Sequence, residues 1–214
     1  MSGVGQAVFM NQRSFGPPAI GAAFGGGFYA GQIGVSSVAT HNLVVGPLST
    51  AQNASIKWKN ANTATSGADS DINGPQNTAD MVADGNSTVY PAAHFCNDLV
   101  IGGFSDWYMP AKNELEVCYF NLKPTTTNNN TSSGINANAV PARASNYTLG
   151  NPAQTSATDF KDTGAEDFAA SSYWSSTEYT AAAGGDQNFA NGYQNAYYGK
   201  TFNNRVRAIR RVAV

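Results

Sequence analysis

A helical apolar stripe set between two stretches of strand-like alternation limits what this chain can fold into. In Ala111-Lys-Asn-Glu-Leu-Glu-Val-Cys-Tyr-Phe-Asn-Leu122, the apolar positions Leu115, Cys118, Tyr119 and Leu122 follow the i, i+3, i+4, i+7 spacing of one helix face. Upstream, Phe28–Ile33, His41–Val45 and Ser55–Lys59 read as strands. In the last, Ile56 and Trp58 alternate with Lys57 and Lys59, the pattern of a half-buried strand. Downstream, Ser172–Tyr179, Gln187–Ala190, Asn195–Tyr198 and Arg205–Val212 read the same way. Two more helices are expected before the central one. One starts near Thr78. The other covers Tyr90–Val100, with Pro91 in its first turn, where a missing N–H does no harm. Phe95, Cys96 and Leu99 form its apolar stripe and Gly102-Gly103 ends it. Strands, then helices, then strands is a segregated order, and it predicts an α+β fold.

The composition agrees. Charged residues are only 12% of the 214, about half the usual share, while hydrophobic residues reach 42%. The difference is made up by Asn, Thr, Ser and Gln with 22 Gly, which suits strands, turns and a neutral hydrogen-bonding surface. A net charge of −2 argues against a nucleic-acid partner, because phosphate binding needs a basic footprint. The one basic cluster is Arg205, Arg207, Arg210 and Arg211. Arg205 and Arg207 alternate with apolar neighbours and so share one strand face, read as structural or as an assembly surface.

Met1-Ser-Gly-Val-Gly-Gln has no basic region followed by an apolar one, and no run approaches the ~20 apolar residues of a membrane helix. The expectation is a chain made in a cytoplasm, not inserted in a membrane, and carried outside by a released particle. Phe15-Gly-Pro-Pro-Ala-Ile-Gly reads as rigid and extended, since Pro17 and Pro18 fit neither a helix interior nor a central strand. Residues 1–22 are therefore taken as an arm or attachment segment, and 23–214 as the domain.

Three features raise the question of a metal or cofactor, and none is expected. Gly25-Gly-Gly27 lacks both the Walker Lys-Ser/Thr and the GxGxxG spacing, so it reads as a turn. Asp69-Ser-Asp71-Ile-Asn73-Gly74 places oxygen ligands at alternate positions, as a calcium loop does. The closing glutamate is missing, because Ala79 to Met81 stand there, and a solvated loop is the default. Cys96 and Cys118 match no zinc spacing and read as small buried residues on helices, with a disulfide between them as the alternative. Pro124-Thr-Thr-Thr-Asn-Asn-Asn-Thr-Ser-Ser-Gly cannot bury an apolar face and reads as a surface run free to move.

Three segments are recognisable together and in order. They are Tyr90–Leu99 followed by Ile101-Gly-Gly-Phe-Ser-Asp-Trp-Tyr-Met-Pro-Ala-Lys-Asn-Glu-Leu115, then Tyr173-Trp-Ser-Ser-Thr-Glu-Tyr179, then Phe189–Asn195 with Asn204-Arg-Val-Arg-Ala-Ile-Arg210. Over roughly residues 74–214 the chain resembles the family of the Legionella collagen-like adhesin C-terminal domain, common in phage tail fibres and bacterial surface proteins. The resemblance implies a C-type-lectin-like domain: two or three helices packed on a small, mainly antiparallel, twisted sheet with long loops. Trp107 and Trp174 should anchor its core. Asp106, Glu114 and Glu178 should pair with Arg205, Arg207 or Arg210. Related formylglycine-generating enzymes use a C-terminal reactive cysteine pair, but no cysteine follows Cys118 here. No Ser-His-Asp or Cys-His arrangement stands at family spacing, and a carboxylate pair such as Asp159 and Glu166 is too common a coincidence to imply hydrolysis. A non-enzymatic binding protein is expected.

The functional signal lies between Glu178 and Asn204. Tyr179, Asp186, Gln187, Asn188, Asn191, Tyr193, Gln194, Asn195, Tyr197, Tyr198 and Lys200 crowd one stretch. Tyr gives a large contact at low entropy cost, and Asn both donates and accepts. In retroelement-diversified relatives this stretch binds ligand. The resemblance therefore implies a ligand-binding role for Tyr179, Asn188, Asn191, Tyr193, Gln194, Asn195, Tyr197 and Tyr198, although the tyrosines could equally be strand residues packed on the core. The expected partner is a host cell-surface glycan or protein receptor. The expected setting is a virion tail, beside other tail proteins, in a homotrimer; a structural virion component whose domain mainly contacts neighbouring subunits is the other possibility.

Overall fold

The computed structural model describes residues 16–214, so most of the expected arm lies outside the described residues. Among the described residues the fold is α+β, with two sheets. In the first, β1 (Ala23–Phe24), β2 (Gly27–Val35), β3 (Val38–Val45) and β9 (Ile209–Ala213) run in that spatial order, all antiparallel. The β1–β2 turn is the Gly25-Gly26 step, where both residues take positive φ (57° and 85°), a conformation that only glycine adopts without strain. The second sheet has the order β4 (Gln52–Lys57), β8 (Asn203–Arg207), β5 (Ser172–Thr180), β6 (Ala183–Asn188) and β7 (Gln194–Gly199). Its pairs are antiparallel except β5 with β8, which are parallel through Tyr173 and Arg205.

The C-terminal run expected as one strand is two. It breaks at Ala208, whose N–H donates to Ala51 and whose carbonyl accepts from Gly46. β8 then belongs to one sheet and β9 to the other, so this single segment joins them.

Among the described residues four α-helices connect the strands: α1 (Leu48–Ala51), α2 (Gly74–Asp84), α3 (Pro91–Asn97) and α4 (Lys112–Leu122). α2 starts four residues before the expected Thr78. The Asn73 side chain accepts from the Gln76 N–H, and Pro75 occupies the first turn, so the start signal was in the sequence. α4 follows the expected stripe, with Leu115, Cys118, Tyr119 and Leu122 all buried. Glu114 in its first turn accepts from the Ala111 N–H at 2.8 Å and from the Gly74 N–H at 3.1 Å, which ties the starts of α4 and α2 together. Cys96 and Cys118 are free thiols buried on α3 and α4.

The core has two parts. One lies between β2, β3 and α4 and continues into the aromatics Phe160, Phe168, Tyr173 and Phe189. Ile20, just before β1, packs against it. The other holds Trp58, Trp107 and Trp174 under α2 and α3. Trp58 on the β4 side donates its indole N–H to Ser175 of β5, and Trp174 of β5 donates to Ile56 of β4, both at 2.9 Å. This reciprocal pair straddles β8. Each buried indole is worth several kcal/mol at ~25 cal/mol per Å2.

The ion pairs differ in detail from expectation. Asp106 pairs with Arg210 as expected. Glu114 takes Arg211, Glu178 takes Lys200, and Arg207 takes Glu166. Alternation placed Lys59 on a solvated face, yet it is buried. Its ammonium donates to the carbonyls of Thr63 and Ala64 and to the Thr65 hydroxyl. The run from Pro124 is not a solvated tether either. Lys123 is buried and donates to Thr127 O and Asn129 Oδ1, while the Asn129 amide donates to Thr148, Leu149 and Pro152. An amide whose donors and acceptor are all satisfied can stand in a core position that composition reserves for apolar groups.

Candidate functional site

The stretch between Glu178 and Asn204 forms the outer part of the second sheet, with β7 as its edge strand. The ladder loses regular register on both sides of Gly185. Trp174 faces Asp186 and Glu178 faces Gly184, so three residues of β5 oppose one of β6. Gly184 faces Tyr198 and Asp186 faces Asn195, so Ala196 and Tyr197 together oppose Gly185. Bulges of this kind re-aim side chains. A β-carbon on Gly185 would lie 2.6 Å from Ser175 Oγ and 2.9 Å from Tyr179, so glycine is what lets the walls close in.

The eight expected residues divide into three groups. Tyr179, Tyr193 and Tyr197 are exposed, Tyr197 to 83%. Asn188, Asn191 and Asn195 serve the backbone: their side-chain carbonyls accept from the N–H groups of Ala190, Tyr193 and Tyr197 at 2.8–3.1 Å. Tyr198 is half-buried, its ring 5.3 Å from that of Trp174, so it acts as a strand residue packed on the core. Gln194 is half-buried and turned to the domain, its side-chain oxygen accepting from the Gly134 N–H. Lys200, also in the crowded stretch, is fully buried against Glu178 and the carbonyls of Thr63 and Ala181.

Between the start of α4 and the two bulges lies a narrow cleft. Lys112 comes from α4, Tyr179 from β5, Asp186 and Gln187 from β6, and Gln194 and Asn195 from β7. Lys112 sits above Tyr179 and pairs with Asp71 at 3.1 Å. Asp186 is the unusual member. Burial pushes its carboxyl up to about 6 from an ordinary 3.8, with Ser172, Asn195 and Asn204 close enough to pull the other way. Even so, its Oδ1 has no hydrogen-bond partner among the described residues. Among the described residues Gln187 Oε1, Gln194 Nε2 and Asn204 Nδ2 are likewise buried without partners. Asp186 and Gln187 were visible in the sequence as polar residues of the stretch, but Lys112, about seventy positions away, carried no signal that it belonged here.

Other polar groups considered from sequence are committed elsewhere. Glu166, paired above with Asp159 as a notional acid and base, accepts from Arg207 at 2.7 Å and from the Leu48 N–H at 2.6 Å. In the loop once comparable to a calcium site, Asp71 holds Lys112 and Asn73 caps α2. Among the described residues no three His, Cys, Asp or Glu side chains are grouped to hold a metal, and no helix is long and apolar enough to cross a membrane.

No curated protein and no solved structure matches the chain. The model of one family does, that of the Lcl C-terminal domain, over residues 49–210. It takes in α1 and β4 as well as the later motifs, and so starts earlier than residue 74. With most of its length covered, from the first residues of the tryptophan-crossed sheet to the arginines of β9, this chain belongs to the Lcl C-terminal domain family, an adhesin-like family.

Proposed function

We propose that the protein is a non-enzymatic attachment protein of a phage tail or fibre tip. It binds a host-surface glycan or receptor through the face made by Tyr179, Tyr193 and Tyr197. The observation that carries this reading is where the tyrosines lie. Tyr29, Tyr90, Tyr108, Tyr119, Tyr147 and Tyr173 are buried, whereas these three, on β5, on β7 and in the β6–β7 turn, are exposed. Folding does not need three large rings in water, and rings of this type suit recognition. The asparagines beneath them hold the backbone, which lowers the entropy lost on binding.

The scaffold is read as C-type-lectin-like. The pairing of β3 with the C-terminal β9 and the long irregular segment before β5 support that reading. Assembly as a trimer beside other tail proteins would multiply a weak single-site affinity. Synthesis in the host cytoplasm and export within the virion complete the proposal.

The test uses the labelled full chain on a panel of bacterial cells. Tyr193→Ala with Tyr197→Ala should leave the melting temperature unchanged and reduce adsorption by about tenfold or more, as loss of central aromatic contacts does. Unchanged adsorption by the folded double variant would refute it.

A further inference from the structure

We infer that Thr131, Ser132 and Tyr193 form a subsite for a neutral glycan, which stacks a sugar ring on the tyrosine and bonds the two hydroxyl side chains. This rests on the attachment reading; it names the class of ligand and adds a second wall to the site. Three hydrogen bonds lay the polar run after Pro124 along the β6–β7 turn. Thr125 Oγ1 donates to Ala190 O at 2.9 Å. The Asn130 N–H donates to Asn191 O at 2.8 Å, and the Gln194 N–H donates to Ser133 Oγ at 3.0 Å. The last two bracket Thr131 and Ser132 on one side and Gly192 and Tyr193 on the other, so the two pairs lie side by side. Gly192 is buried, which leaves Thr131, Ser132 and Tyr193 exposed. The backbone beneath them is fixed. The buried Lys123 ammonium donates to Thr127 O and Asn129 Oδ1 at 2.6 and 2.7 Å. Asn130 Oδ1 accepts from the Ser132 N–H, and Asn191 Oδ1 from the Tyr193 N–H. A run of Thr, Asn and Ser brings no apolar face to the core, so burial alone does not account for ordering it here. Ordered before contact, it loses less entropy on binding.

The chemistry of the three side chains narrows the ligand. A hydroxyl both donates and accepts, as each sugar hydroxyl does, so a bond can form in either direction at Thr131. Ser132 Oγ already donates to Asn130 Oδ1 at 2.6 Å, which orients it as an acceptor. The Tyr193 ring offers flat apolar surface to the C–H face of a pyranose, with a polar tip beside it. Neither residues 124–135 nor residues 188–197 include a charged side chain. A sulfated or uronic-acid chain would therefore bring negative charge to two segments with no Arg or Lys to pair with it. Lys123, just before the run, is buried with its ammonium bonded to Thr127, Asn129 and Pro152. A protein receptor is favoured less, because specific protein interfaces centre on a desolvated apolar core, whereas this ring is flanked by small hydroxyls.

The test uses the labelled full chain and cells of a bacterial strain that adsorbs it. Mild periodate, which opens vicinal diols in surface sugars, should abolish adsorption, and protease treatment of the cells should not. Raising NaCl from about 50 to about 500 mM should leave adsorption unchanged, because a neutral ligand gives salt nothing to screen. Thr131→Ala with Ser132→Ala should lower the affinity about tenfold, as loss of two hydrogen bonds does, with the fold retained by circular dichroism. Loss of adsorption to protease-treated cells marks a protein receptor and overturns the inference. So does a steep loss with salt, which marks an acidic glycan, and so does adsorption that survives periodate. If Tyr193→Ala with Tyr197→Ala reduces adsorption while Thr131→Ala with Ser132→Ala does not, attachment stands and the subsite falls. If adsorption ignores both sets of variants, the attachment reading itself falls.

Discussion

Replacing Asp186 with Asn should stabilise the protein at neutral pH and do nothing in acid. The carboxyl is raised from an ordinary 3.8 to about 6, first by burial. The folded state thus holds this proton more tightly than the unfolded state does. Linkage then makes stability fall as pH rises through the window from about 4 to 6. Above that window the ionised group carries its full penalty. At 1.36 kcal/mol per pH unit, a rise of about two units amounts to roughly 3 kcal/mol. With Asp186 only 6% exposed, solvent relieves little of this. Asn keeps the shape and cannot ionise. Urea unfolding, followed by the fluorescence of the buried Trp58, Trp107 and Trp174, is the assay. The variant's midpoint should exceed the parent's by about 1 M at pH 7.5 and coincide with it near pH 4. A gain that does not change with pH, or a loss at pH 7.5, would refute the claim that an ionised, desolvated carboxylate is held at this site.

Two other substitutions test the scaffold. Arg207→Met should cost about 3 kcal/mol in urea unfolding, because it leaves the half-buried Glu166 carboxylate without its cation and strands the carbonyls of Gly46, Glu166 and Asp167, to which the guanidinium now donates. Gly192→Ala should cost on the order of 2 kcal/mol in the same assay, since positive φ strains any other residue and overpacking adds to it. Gly192 sits at φ 76° in the β6–β7 turn, and a β-carbon there would lie 2.3 Å from the Tyr119 ring.

Much of the fold was legible from spacing. The stripe of α4, Pro91 at the start of α3, the Gly25-Gly26 turn and the strands at β2, β3 and β5 follow from short-range rules, and the structure places them where those rules do. The candidate site was legible as a stretch rather than as a set of contacts. Abundant Tyr and Asn drew attention to residues 179–200, but the same letters serve different ends. Tyr197 is exposed while Tyr198, its neighbour, packs on Trp174. Neighbours on a strand point to opposite faces, and which face is covered is a property of the packed sheet.

By itself the sequence determined the class of fold, the family and the region of interest, because periodicity and local turn chemistry act over a few residues. Only the tertiary structure decided the rest. It split Arg205–Val212 at Ala208 between two sheets, since the strands on either side pair with β4 and β5 or with β3. It buried Lys59, Lys123 and Lys200, since their ammonium groups found carbonyls contributed by distant loops. It brought Lys112 to Tyr179 and left Asp186 desolvated between strands. Burial, dielectric and unpaired valence are set by what surrounds a group on every side, and most of that surrounding comes from far along the chain.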